Sequence, residues 1–239
     1  MKLEIKNIVN KTSLLPLQGL GVLLLLTLFV SSAHAVELDT KNRDPKYVAT
    51  IVERSKKVVD KLSLKNAETA TNVTNIVANR YFKLNDIYAK RDSDVAKIKR
   101  SVLAGEAKKS ALTAAQDAKE AALYRSHFAF PAELSMFLDE SQIEAVKDGI
   151  TFGVVKVTYE ATLDMIPTLK DEEKTQILAW LKEAREFSID AENSNKKHEA
   201  FGKYKGRINN YLSARGYDLV KEREGWYARI KSRDEAKKK

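Results

Sequence analysis

Phe201-Gly-Lys-Tyr-Lys-Gly-Arg-Ile-Asn-Asn-Tyr-Leu212 decides the fold. Its large apolar side chains, Phe201, Tyr204, Ile208 and Tyr211/Leu212, recur every three or four residues, the period that lines one face of a helix. Lys203, Arg207 and Asn210 fall on a neighbouring side at the same spacing, so the helix is amphipathic with a basic and amide flank. Upstream, Ile177, Trp180/Leu181, Ala184 and Phe187/Ser188 point one way after Pro167, while Glu183, Arg185, Glu186 and Asp190 face outward or toward a pocket. Downstream, Gly216 ends the helix, and a last short helix holds Leu219, Trp226 and Ile230 inward with Arg223 and Arg229 beside them.

Toward the N-terminus the same period recurs. Asp44-Pro45 opens a helix, because the missing N–H of proline costs nothing in the first turn. Val48, Ile51/Val52, Ser55, Val58/Val59 and Leu62 take one face of it, and Glu53, Arg54, Lys56, Lys57 and Lys61 the other. A second helix is expected from about Ala67 to Lys90 on Val73, Val77, Tyr81, Leu84 and Tyr88. Asn72, Asn75, Asn79 and Asn85 interrupt it with amides that suit hydrogen bonds across a bundle or to a ligand. Ser93 to about Arg125 is rich in alanine, lysine and glutamate, residues that lose little entropy in a helix. Its apolar stripe is weak, so part of it is expected to stand out from the body, with Gly105 as a break. Pro131 ends that run by disfavouring helix at Phe130.

Asp139 and Gln142 then form a capping box, with Leu138 and Ile143 as its hydrophobic staple. Thr168 and Asp171 echo the box before the helix of Trp180. Between them, Lys147-Asp-Gly149 is a turn signal and Phe152-Gly-Val-Val-Lys-Val-Thr-Tyr159 is enriched in β-branched and aromatic residues. The fold class is therefore mainly α, a compact bundle of five to seven helices, with a short β-hairpin or extended crossing segment near residues 150–160. Asp148 and Tyr159 would then sit on the rim of a groove.

The chain ends carry separate signals. Lys2, Lys6 and Lys11 precede an apolar run from Gly19 to Val30 and the small residues of Ser31-Ser-Ala-His-Ala35, the pattern of a signal peptide cut after Ala35. The apolar core is shorter than the ~20 residues of a membrane span. This predicts an exported protein, periplasmic or else extracellular, whose single domain covers 36–239 with a basic tail from about 231 and no transmembrane span after cleavage. No cysteine is available for a disulfide or a lipid. Residues 201–239 hold twelve Lys and Arg against five Asp and Glu, so the excess positive charge belongs to one end. Such a region attracts phosphate, sulfate, uronate or acidic protein surfaces. Export and the lack of a finger, recognition-helix or ribonucleoprotein pattern argue against nucleic acid.

Leu169-x-Asp-Glu-Glu-Lys174, Glu183-Ala-Arg-Glu186, Lys197-His198, Phe201 to Ser213 and Gly216-Tyr-Asp218 resemble a secreted domain family of unknown function from Bacteroidetes that carries a sugar-binding label. The resemblance covers most of the mature chain and implies a glycan partner, but no catalytic residue and no cofactor. The residues offer suitable chemistry. Tyr204 and Trp226 are stacking candidates for pyranose faces, Lys203 and Arg207 are contacts for an acidic saccharide, and Asn210 and Asp218 are hydroxyl partners. His127, Asp148, Tyr159, Arg185 and His198 are secondary candidates. Helix packing with snorkelling basic stems explains the same composition.

Two further classes compete with noncatalytic glycan binding. A helical periplasmic chaperone or envelope interaction protein would use long charged helices and a broad face. A polysaccharide-processing enzyme would need a proton carrier, and His127 or His198 would have to meet Glu199, Asp190 or Asp148 in space. Neither histidine has a second histidine at ligand spacing, so no metal site is read.

Overall fold

Asp44 accepts a hydrogen bond from Tyr47 N and Pro45 occupies the first turn, so α1 (Pro45–Val59) starts where its sequence signal stands. The computed structural model describes residues 35–237. The basic head and apolar run of the signal-peptide reading lie outside the described residues. Among them are eight α-helices, one short 3-10 turn after α1 and no strand, an all-α multi-helix bundle.

Asn66 caps α2 (Ala67–Arg100) through Thr69 N. The boundary expected near Lys90 is absent, and the helix runs 34 residues to the break before Gly105. Gly105, with φ 53°, turns the chain into α3 (Gly105–Leu134). The two helices form an antiparallel hairpin: Arg80 meets Ser126, Lys119 covers the Tyr88 ring, and Lys108 Nζ donates to the Lys99 carbonyl. Leu84, Ile87 and Leu123 close its base. Beyond them it stands out from the body, ending in exposed Val102 and Leu103. Pro131 does not end α3. Proline withholds one N–H, but Phe130 and Leu134 on either side of it are fully buried, and that burial carries the helix through.

The capping box of Asp139 and Gln142 opens α4 (Glu140–Ile150) as read. The strand or hairpin expected near residues 150–160 is a helix instead, α5 (Val154–Met165). Phe152 and Gly153 both adopt left-handed conformations and redirect the chain between α4 and α5. Val154, Val155, Tyr159 and Leu163 then pack on one core at helical spacing. The helix penalty of valine, well under ~1 kcal/mol per residue, is smaller than what burying such side chains contributes.

Lys170 N donates to Glu173 Oε2 at the start of α6 (Asp171–Ser188), so the cap lies two residues beyond the expected Thr168/Asp171 pair. Asn193 caps α7 (Ser194–Ala214) through Lys196 N. Asp218 caps α8 (Leu219–Lys237), which is longer than the expected short helix and takes in most of the supposed tail.

Two large cores and a smaller one of Ile51, Ala78 and Phe82 hold the bundle. One gathers Val58, Val73, Ile76, Val77, Phe130, Leu134, Val146 and Ile150; the other Val155, Ile166, Ile177, Leu181, Phe201, Ile208 and Leu212. Ile189, just past α6, belongs to the first while Leu181 and Ala184 belong to the second, so α6 ties them together. Three of the α2 asparagines have a structural role. Asn72 Oδ1 accepts from Val36 N, Asn75 Nδ2 donates to Val36 O, and Asn79 bonds Asp39 N and Glu37 O, pinning an extended strap along the helix. No helix among the described residues is long and apolar enough to cross a membrane.

Candidate functional site

A cleft of about 900 Å³ opens between the hairpin and the corner where α6 passes into α7. Tyr88 and Arg91 of α2 and Lys119 to Phe128 of α3 form one wall. Glu186 and Phe187 of α6, Asp190 and Glu192 of the link, and Lys196, Glu199 and Lys203 of α7 form the other.

At its floor His127 Nδ1 lies 2.9 Å from Asp190 Oδ2. Asp190 is clamped from behind by the buried guanidinium of Arg80, which also meets Ser126, and its backbone carbonyl accepts from Tyr88 OH at 2.8 Å. Arg80 thus binds α2, α3 and the α6–α7 link to one another. Beside the Asp190 carboxyl group, which Arg80 also holds, Nδ1 is the ring nitrogen placed to donate. His127 Nε2 is left with its lone pair, 3.8 Å from Glu186 Oε2. The imidazole is 23% exposed, which leaves it reachable from the cleft. Burial, then Glu192 and Asp190, push the Tyr88 phenol up to about 12, so it is a neutral donor.

The rim is aromatic. Tyr124 and Phe128 pack edge to face with centroids 5.0 Å apart, and Phe128 also meets the His127 ring edge-on at 5.1 Å. Tyr124, Phe128 and Phe187 are all more than half exposed. Of the expected inward pair Phe187/Ser188, only Ser188 is buried, donating to the Ala184 carbonyl at 2.8 Å.

Charge in the cleft is asymmetrically satisfied. Glu120 pairs with Lys119, Glu192 with Arg91 and Glu199 with Lys196. Glu186 is shared by Lys147 and Arg185, and Asp190 by Arg80 and His127. Arg125 and Lys203 line the cleft without a carboxylate partner among the described residues.

Of the sequence-derived candidates, the cleft brings together His127 and Lys203, and the anticipated meeting of His127 with Asp190 occurs. The others lie elsewhere, most with structural partners. Arg207 stacks over Trp180 at 4.4 Å and reaches Glu183 at 3.5 Å. Tyr204 packs beside Phe187, and burial followed by Glu183 pushes its phenol up to about 12. Asn210 is exposed on α7. Asp218 is the α8 cap, its carboxyl lowered by the amides of Lys221 and Val220. Trp226 Nε1 donates to Asp164 at 2.7 Å. Arg185 is buried, bonding Asp148 at 2.8 Å and Glu144 at 2.7 Å, so Asp148 is an ion-pair partner rather than a groove rim. Tyr159 packs against the second core, and His198 stacks on Phe152 at 5.5 Å.

Sequence reading missed Tyr124, Arg125, Phe128 and the clamp of Arg80. Tyr124 and Phe128 are four apart on α3, a helical spacing that could have found them. No group of three or more His, Asp or Glu side chains among the described residues is placed to hold a metal ion.

Fold and site together define an all-α domain with an aromatic-rimmed cleft built on a histidine–aspartate pair. Residues 48–232 match the family described as a protein of unknown function, DUF3826, and the chain belongs to that family. No curated protein matches it.

Proposed function

We propose that this domain is an exported glycan-binding protein that takes an acidic, uronate-containing oligosaccharide into the cleft. The observation that carries the reading is the charge balance: each lining carboxylate has a cation, whereas Arg125 and Lys203 have no carboxylate partner among the described residues, so the ligand brings the missing negative charge. Exposed Tyr124, Phe128 and Phe187 supply flat apolar faces for sugar rings, and a cleft of about 900 Å³ suits a short oligosaccharide. The signal-like pattern of the first 35 residues supports export to where such polymers are met.

Isothermal titration against neutral and uronate oligosaccharides at low and moderate salt tests this. Uronate binding should weaken with salt. Arg125→Ala with Lys203→Ala should weaken it about tenfold or more, since a charge-assisted bond is worth ~1.5–3 kcal/mol. Equal affinity for neutral chains would sink the acidic preference. A chaperone role draws instead on the exposed Val102 and Leu103 at the hairpin tip. It would show as suppressed aggregation of unfolded clients, without saccharide binding.

A further inference from the structure

Resting on that reading, we propose that the cleft is catalytic: His127 removes the proton next to a bound uronate carboxylate and returns it to the departing glycosyl oxygen, a β-elimination that cleaves the chain.

The argument starts from proton carriers. Glu120, Glu186, Asp190, Glu192 and Glu199 are all held by cations, and an ion-paired carboxylate stays ionised rather than shuttling protons. Tyr88 is a neutral phenol that donates to the Asp190 carbonyl. His127 is the one lining side chain whose ordinary chemistry both takes and gives a proton near neutral pH. Asp190 fixes its tautomer with the base at Nε2, and Arg80 fixes Asp190. These two are positioning residues. Glu186 Oε2, at 3.8 Å from Nε2, is an acceptor that leaves the lone pair free and is close enough to stabilise the imidazolium that forms.

Elimination fits this inventory where glycoside hydrolysis does not, because hydrolysis needs two carboxylates flanking the scissile bond, one of them protonated. In the elimination the C5–H bond breaks and its proton goes to His127 Nε2. Its electron pair becomes the C4=C5 bond, the C4–O4 bond breaks with its pair on O4, and O4 takes the proton back from Nε2. In a uronate whose C5–H and O4 share a face, one residue serves both transfers, and no water, oxidant or metal is consumed. Arg125 and Lys203 hold the C6 carboxylate, whose charge grows as the C5 proton leaves.

The test incubates the full-length chain with oligomannuronate and chondroitin oligosaccharide, uronates whose C5–H and O4 lie on the same face of the ring. It follows the ultraviolet absorbance of the conjugated double bond, the product masses, and binding by titration. Unsaturated fragments whose masses sum to that of the substrate are expected. His127→Ala should slow their formation by about 100-fold to 10,000-fold, the usual contribution of a general acid–base group, without loss of saccharide affinity. Added imidazole should restore part of the rate, which a merely structural histidine would not allow. His127→Gln replaces the alanine variant if circular dichroism shows the latter unfolded. Asp190→Asn should depress turnover and shift its pH profile, through the groups facing His127: Arg80, Tyr88, Glu186 and, behind Glu186, Lys147 and Arg185. Saturable binding without turnover of any probe overturns the elimination and leaves the binding reading standing. Products that have gained water also overturn it. No binding of any probe overturns both.

Discussion

Lys197 lies buried against the rings of Tyr81 and Phe152, with Nζ donating to the Ile150 carbonyl at 2.8 Å. Its pKa falls from 10.5 to about 8, because burial removes water from the ammonium and Arg54 and Arg80 add repulsion. The folded protein therefore releases this proton near pH 8, while the unfolded chain holds it to 10.5. Between those values the unfolded state binds more protons, so stability rises with pH. Urea unfolding should show this rise, up to ~3–4 kcal/mol at ~1.4 kcal/mol per pKa unit, and Lys197→Met should abolish it. A flat comparison between the two proteins would show that Lys197 is solvated. The same scale explains why most sequence candidates became structural. Arg185, Asp148, Asp218 and Trp226 have the chemistry of a binding site, but each finds its hydrogen-bond partner within the protein. A residue type carries no record of whether its partner comes from solvent, ligand or a helix distant in sequence.

Helix α8 buries no residue fully, and polar anchors hold its far part. Asp164 at the end of α5 accepts from Trp226 Nε1 at 2.7 Å and from both terminal nitrogens of Arg233, and Arg229 bonds the Asp164 and Met165 carbonyls. Arg233 first and Trp226 second lower the Asp164 carboxyl from 3.8 to about 2. A depressed carboxyl contributes its stabilisation above the unfolded value and loses it as pH falls through the folded one. Acid titration should thus free α8 between about pH 4 and 2, with a red shift of tryptophan emission that Asp164→Asn produces already at neutral pH. Emission unchanged in that variant would contradict the anchor. At this scale the caps of α1 and α4 and the apolar faces of α1, α6 and α7 were legible, since each needs only a few neighbouring residues. The valine-rich α5 was not, because its weak β preference yields to packing on the second core. Neither was the passage of α3 through Pro131, which depends on the burial of Phe130 and Leu134.

Across the molecule, stability and the cleft separate from the hairpin tip. Between Arg91 and Gln116 only Ala115 is buried, so this part of α2 and α3 contributes little to either core. Replacing residues 95–112 by a short glycine-rich turn should leave the melting temperature within a few degrees, because a change near 1 kcal/mol shifts it by only about 2–4 °C in a domain this size. Collapse on truncation would mean the projecting helices brace the body. Local spacing along the chain is enough to specify an all-α class, several helix starts, the inward faces and the region that stands out, because a helix repeats within a dozen residues. The cleft has no such local signature. Tyr88, His127, Asp190 and Lys203 are dispersed over four segments, and they meet because Arg80 joins two helices of the hairpin to the α6–α7 link. Which histidine gains an aspartate, which aromatics remain exposed and which cations lack a partner are set by packing between distant helices, and that depends on the free energy of the whole folded chain.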